Sequence, residues 1–183
     1  MESILCETSR LIFATLGPGY AGQVLDFYNK NREHFEPWDP DRDPNFYTIP
    51  FQHATLTMES RLLALGKSFR LWMLQKEEPH AIVGSVNFYN ITYSIYHSCQ
   101  IGYKISSEYL NQGYAYEGVG KGIELFRMKF PRMRRIEANI MPSNISSIGL
   151  IEKLGFEYEG FARSNIRING NWEDHLRYAL LVV

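Results

Sequence analysis

A mixed α/β fold of the α+β type, one largely antiparallel sheet with helices packed on it, is the architecture this sequence predicts, and three observations carry that prediction. Residues 68–105 hold three β-rich runs in succession, "SFRLWMLQ", "AIVGSVNFYNI" and "SIYHSCQIGYKI", separated by turn-like breaks as in a meander. Beyond them helical and strand patterns alternate, and the last two strand runs are joined by Asn169-Gly170-Asn171, a strong hairpin signal. With 183 residues, 45% hydrophobic and 21% charged, the chain has the size and composition of one domain spanning 1–183 with a substantial core.

The elements follow in order. "TSRLIFATL" at 8–16 alternates like a strand, and Gly17-Pro18-Gly19 stops it before a helical stretch through residue 28. No strand is assigned to the preceding "MESILCETSR". Residues 34–50, "HFEPWDPDRDPNFYTIP", hold four prolines and four aromatics, too irregular for an element and too aromatic for a solvated linker. A surface loop packed on the core and a lid or substrate wall are both open readings. A helix over 51–65 is closed by Gly66, and the meander follows. A helix opening near Gly113 runs to about residue 128, then a strand at "RRIEANIM", a helix over 144–154, and the strands "FEYEGFARSNIRI" and "WEDHLRYALLVV". The total is about seven strands and four helices.

"YLNQGYAYEGVGKGIEL" at 109–125 carries Gly113, Gly118, Gly120 and Gly122. Each glycine within a helix costs roughly 1 kcal/mol relative to alanine, so the segment needs a compensating reason. A strand ending at Ile105, a turn and a helix start bring free N–H groups together, which suits an anion. A Walker loop fails, because the position six before Lys121 is Ala115 and Gly122 follows the lysine. The dinucleotide G-x-G-x-x-G is absent at the right place, and the upstream meander opens no βαβ unit. Gly118 and Gly122 share one helical face, which fits either tight packing or close approach of a ligand.

Charge and cysteine usage narrow the function classes. A net charge of −1 leaves no whole-chain footprint for nucleic acid or an anionic membrane, and the basic run at 127–135 reads as a solvated helix end leading into a strand. Cys6 and Cys99 lie far apart without ligand spacing, so neither a disulfide framework nor a metal site is expected. No export signal and no stretch near the roughly 18 apolar residues of a membrane span is present, and a cytoplasmic location is the expectation.

Three segments read together, "CQIGYKISSEYLNQGYAYEG", "RRIEANIMPSNISSIGLIEKLGF" and "EYEGFARSNIRINGNWEDHLRYALL", resemble the Gcn5-related N-acetyltransferase (GNAT) superfamily. "NREHFEPWDPDRD" and "IVGSVNFYNI" extend the resemblance to its RimJ/RimL-type ribosomal-protein-alanine N-acetyltransferases. The resemblance implies a sheet splayed between its fourth and fifth strands, with acetyl-coenzyme A as co-substrate in the gap and no metal. The family's pyrophosphate loop, Q/R-x-x-G-x-G/A, falls on Leu110, Asn111, Gln112, Gly113, Tyr114 and Ala115, with Leu110 in place of Gln or Arg. Phosphate donors are then main-chain N–H groups from Asn111 to Tyr116. Main-chain N–H groups at Tyr103, Lys104 and Ile105 are expected to face the acetyl carbonyl.

The same resemblance gives Ser147 as proton donor to the leaving thiolate, since the position where many relatives carry a tyrosine acid is Ile151. Asn144 matches a ligand of the coenzyme arm, doubling as an N-cap, and Asn139 is a strand amide toward the pantetheine or substrate. Gln100 stands where many relatives carry a basic glutamate, leaving a water relay among Glu33, Glu36 and Asp174, while His97 and His175 read as structural. Trp38, Phe46 and Tyr47 are the expected wall of a groove for an extended peptide. The implied acceptor is the N-terminal alanine of a ribosomal protein. A small-molecule amine is the alternative, a non-catalytic coenzyme-binding or ribosome-assembly module is a third reading, and a homodimer is compatible with each.

Overall fold

The computed structural model describes residues 3–182. In chain order the elements are β1 (Ser3–Glu7), β2 (Leu11–Thr15), α1 (Ala21–Lys30), α2 (Arg32–Phe35), α3 (Ile49–Ala64), β3 (Phe69–Gln75), β4 (Ile82–Thr92) and β5 (Ser98–Ile105), then α4 (Tyr114–Lys129), β6 (Arg135–Ile140), α5 (Ile145–Lys153), β7 (Glu157–Ile168) and β8 (Asn171–Leu181). The strands form one mixed sheet in the order β1-β2-β3-β4-β5-β6-β8-β7, antiparallel everywhere except between β5 and β6.

The described residues thus hold eight strands and five helices, one more of each than the sequence suggests. The extra strand is β1, an edge strand whose residues are nearly all exposed, so it shows no half-buried alternation to read. The extra helix, α2, is a single turn. Helix α3 starts at Ile49, earlier than expected. The Thr48 side chain accepts the Phe51 N–H at 3.4 Å, and Pro50 occupies the first turn, where no N–H is needed.

Alternation on β3 divides two apolar layers. Leu71 and Met73 join a cluster under α4 and α5, whereas Trp72 and Leu74 join a second one under α1 and α3. In the first layer Phe126 stacks on Phe88, ring centroids 4.2 Å apart. The glycines of α4 explain how close this helix comes. A Cβ at Gly118 would overlap the Met73 sulfur, and one at Gly122 would lie 2.6 Å from Val86 Cγ1. Of the two openings the sequence left, close packing on the sheet is the one these residues serve.

Between β5 and β6 the ladder covers only Ser98–Arg135, Cys99–Ile136 and Gln100–Glu137, after which the strands part. Each keeps its outer neighbour: β5 stays paired with β4 to Ile105, and β6 with β8 to Ile140. The gap is the splay expected between the fourth and fifth strands, now fifth and sixth because β1 precedes them.

Candidate active site

The parted strands leave backbone donors without a ladder partner. The Ser106 N–H donates to the Val83 carbonyl at 2.8 Å. In an antiparallel ladder successive N–H groups alternate in direction, so the N–H of Lys104 points to β4 and those of Tyr103 and Ile105 point into the gap. This corrects the expectation for Lys104 as a main-chain donor. Its side chain instead reaches the Asp39 carboxylate on the opposite face, which also holds Arg42. Burial pushes the Lys104 ammonium below its ordinary range, and Asp39 opposes that shift.

After β5 a turn leads into α4, whose N-cap is Gly113 at φ +83, with Asn111 also left-handed at φ +58. A side chain at Gly113 would be strained there. The first capping bond is Glu117 N–H to the Gly113 carbonyl at 3.1 Å, so the preceding N–H groups through Tyr116 have no intrahelical acceptor and suit an anion. Arg10 braces the turn: its Nη1 donates to the Gln112 carbonyl at 2.9 Å, its Nε to Glu117 at 2.8 Å, and the guanidinium lies 4.1 Å from the Tyr114 ring centre. Leu110 adds no charge, so the donors this turn offers are main-chain N–H groups. The unpaired donors of β5 suit the carbonyl of a thioester, and this helix start suits a diphosphate.

Helix α5 brings Ser147 to the cleft. Asn144 caps it by accepting the Ser147 N–H at 3.1 Å. The Tyr103 hydroxyl lies 2.6 Å from Ser147 Oγ. Burial pushes the Tyr103 phenol up to about 12, with the Ser147 hydrogen bond working the other way, so the group keeps its proton. Ile151 is fully buried in the core and cannot stand in for a tyrosine acid. A tyrosine hydroxyl is nonetheless present, supplied by β5.

A cavity of about 450 Å³ joins the cleft to the opposite face of the sheet, and Trp38, Tyr103, Asn139, Asn144, Ser147 and His175 are among its lining residues. Of the three expected wall residues only Trp38 lines it. Phe46 packs edge-on against Tyr28 at 4.8 Å beneath Arg42, and Tyr47 points to Glu36 at 3.2 Å in a separate cavity of about 230 Å³. Both are spent on holding the long loop.

The suggested relay carboxylates also lie elsewhere. Glu33 is exposed, Glu36 is paired with Arg32, and Asp174 accepts the Ser164 N–H at 2.7 Å. Gln100 Oε1 accepts from Asn90 Nδ2 at 2.9 Å. His97 has its ring against Tyr93, away from the cavity. His175, read from sequence as structural, is buried and lines the cavity. Its Nδ1 lies 3.0 Å from the Glu173 carbonyl oxygen, which can only accept. Nδ1 therefore carries the proton, and in the neutral ring Nε2 is the free acceptor. The available signal was its place on β8 opposite the apolar Leu176-Tyr178-Leu180 face. Among the described residues no group of three or more His, Cys, Asp or Glu side chains could hold a metal, and no helix is long and apolar enough to cross a membrane.

Comparison with known proteins agrees with this geometry. Residues 10–157 match the acetyltransferase (GNAT) domain. The chain is 32% identical over 180 residues to the [ribosomal protein uS5]-alanine N-acetyltransferase of Escherichia coli K12, covering 98% of this chain and 92% of that one. The solved ribosomal-protein-S5-alanine acetyltransferase from Vibrio fischeri superposes with a TM-score of 0.90 at 28% identity, covering 98% and 97% of the two chains. Mycobacterium smegmatis RimJ in complex with CoA-disulfide superposes at 0.86 with 21% identity, covering 94% and 82%. With the family match over most of its length and a sheet that parts between β5 and β6, this chain belongs to the GNAT acetyltransferase family.

Proposed function

We propose that this acetyl-coenzyme A-dependent N-acetyltransferase works as one domain that acetylates the α-amine at the N-terminus of a protein by direct transfer, with a ribosomal protein beginning with alanine as the favoured acceptor. The observation that carries the reading is the interrupted β5–β6 ladder, which leaves the Tyr103 and Ile105 N–H groups turned into the gap between the strands, with Tyr103 lining a cavity that also holds Ser147 and His175. The near full-length similarity to an enzyme named [ribosomal protein uS5]-alanine N-acetyltransferase supports the choice of acceptor. That choice puts its action in the cytoplasm.

The residues divide the work. N–H groups from Asn111 to Tyr116 hold the diphosphate, and Asn139 and Asn144 flank the arm that leads from it. His175 Nε2 takes the proton of the attacking amine as the C–N bond forms. The N–H groups of Tyr103 and Ile105 stabilise the carbonyl oxygen as it gains charge. The C–S bond then breaks, and the sulfur receives the Ser147 hydroxyl proton while Tyr103 donates to Ser147. An α-amine with pKa of roughly 7.7–8.0 is about a tenth neutral at pH 7, so the base assists an ordinary amine.

The test is release of free thiol from acetyl-coenzyme A in the presence of purified protein and a peptide beginning with alanine. Turnover of that peptide well above polyamines and amino acids is expected. Faster turnover of a small amine overturns the acceptor, and coenzyme binding without thiol release from any amine overturns the enzymatic reading.

A further inference from the structure

We infer that an acceptor peptide leaves the active-site cavity through a groove between α3 and the end of β4, where the residues after its first few are read, and that the gap between the long loop and the β7–β8 hairpin is closed to it. This rests on the peptide-acceptor reading above.

The closed side is visible in the contacts. Pro40 and Ile168 form a β-type bridge, and both line the cavity. The Asn169 Nδ2 donates to the Glu36 carbonyl at 3.0 Å, the Gly170 N–H donates to Asp41 Oδ1 at 2.8 Å, and Arg167 lies 3.3 Å from the Asp41 carboxylate. Loop and hairpin therefore make one continuous wall. The loop is seated from below as well, because buried Asp39 holds both Lys104 on β5 and Arg42.

On the other side a second space adjoins the cavity. A second groove of about 730 Å³ lies along α3, and Arg70, Asn87 and Tyr89 line both spaces, so the two adjoin without an intervening element. Its walls alternate in chemistry. Met58 and Leu62 on α3 offer apolar contacts, while Thr55 on α3 and Asn90 and Thr92 on β4 offer groups for a peptide main chain. Its half-buried charges, Glu59 and Arg70, face each other at 3.0 Å, so the groove is no site for a lone ion. An extended chain whose amine sits at the cleft would run under Arg70 and along Asn87 into this groove.

The experiment compares alaninamide with an octapeptide beginning with alanine, in the full-length protein. The octapeptide is expected to have the higher kcat/KM by about tenfold or more, the size of one or two well-placed contacts. Met58→Glu, at a half-exposed position, should remove most of that advantage through KM and leave alaninamide turnover unchanged. Thr55→Arg on the same wall should do the same, and Trp172→Ala on the hairpin should alter neither substrate. Equal kcat/KM for the two substrates overturns the inference. So does a length effect sensitive to Trp172→Ala and insensitive to both α3 variants, or equal damage to both substrates by both α3 variants. Peptide turnover that ignores length and Met58 sinks this inference alone, whereas turnover of small amines without any peptide sinks the acceptor reading with it.

Discussion

Ser147 and Tyr103 share one short hydrogen bond, and a pair that handles one proton should respond as a unit. Tyr103→Phe and Ser147→Ala are each expected to lower kcat by about tenfold to a hundredfold with acetyl-coenzyme A affinity nearly unchanged, within the range of acid catalysis. The double variant should be little worse than the more severe single one. Single-turnover kinetics of the three proteins checks this, and full multiplication of the two losses would separate their roles. Because Tyr103 is pushed up to about 12, it keeps its proton at working pH. The rate should climb as the acceptor amine loses its proton near pH 8 and hold on the alkaline side to about pH 10. His175→Gln should lower kcat/KM by about a hundredfold, with added imidazole restoring part of the rate to His175→Ala. From sequence His175 carried only its strand position as a signal, and the phenol of Tyr103 carried none. Tyr103 meets Ser147 from a distant helix, and the cavity that His175 lines is assembled from segments far apart in the chain, which no local spacing records.

Helix α4 shows what one element can and cannot announce. Its glycines were legible as an anomaly, but their partners Met73 and Val86 belong to β3 and β4, so packing and ligand approach looked alike. Gly118→Ala is expected to cost about 1–3 kcal/mol in urea unfolding, because the methyl group has no room. In α5, by contrast, a Cβ at Gly149 meets nothing within 4 Å, so Gly149→Ala should gain roughly 0.5–1 kcal/mol. Similar values for both would remove the packing explanation. The long loop was legible as irregular and aromatic, and its use as a wall was only partly so. Its aromatic residues divide between the cavity, where Trp38 sits, and anchorage, where Phe46 and Tyr47 are engaged. The strand periods, the existence of the longer helices and the hairpin were readable because each depends on neighbours in sequence. Strand β1 was not, since an exposed edge imposes no pattern.

For the molecule as a whole, the splay came from resemblance and the meander from the β-rich runs, while the full strand order and the way the two faces communicate required the three-dimensional chain. Its ion pairs set a limit in acid. The hydrogen bond from Arg32 holds Glu36 below the ordinary glutamate value, and that from Arg135 does the same for Glu159. A carboxylate depressed on folding stabilises above its unfolded value near 4.5 and loses that contribution as pH falls through the folded value. The urea midpoint should therefore start to drop as pH falls below about 4.5, and Glu159→Gln should flatten part of the drop. The interrupted ladder carries one more consequence. A seam in the middle of the sheet is held by packing at its rims instead of by rungs across it, and whatever bridges it acts as mortar. Heat resistance should then follow cofactor concentration, gaining about 2.7 kcal/mol at a hundred times Kd.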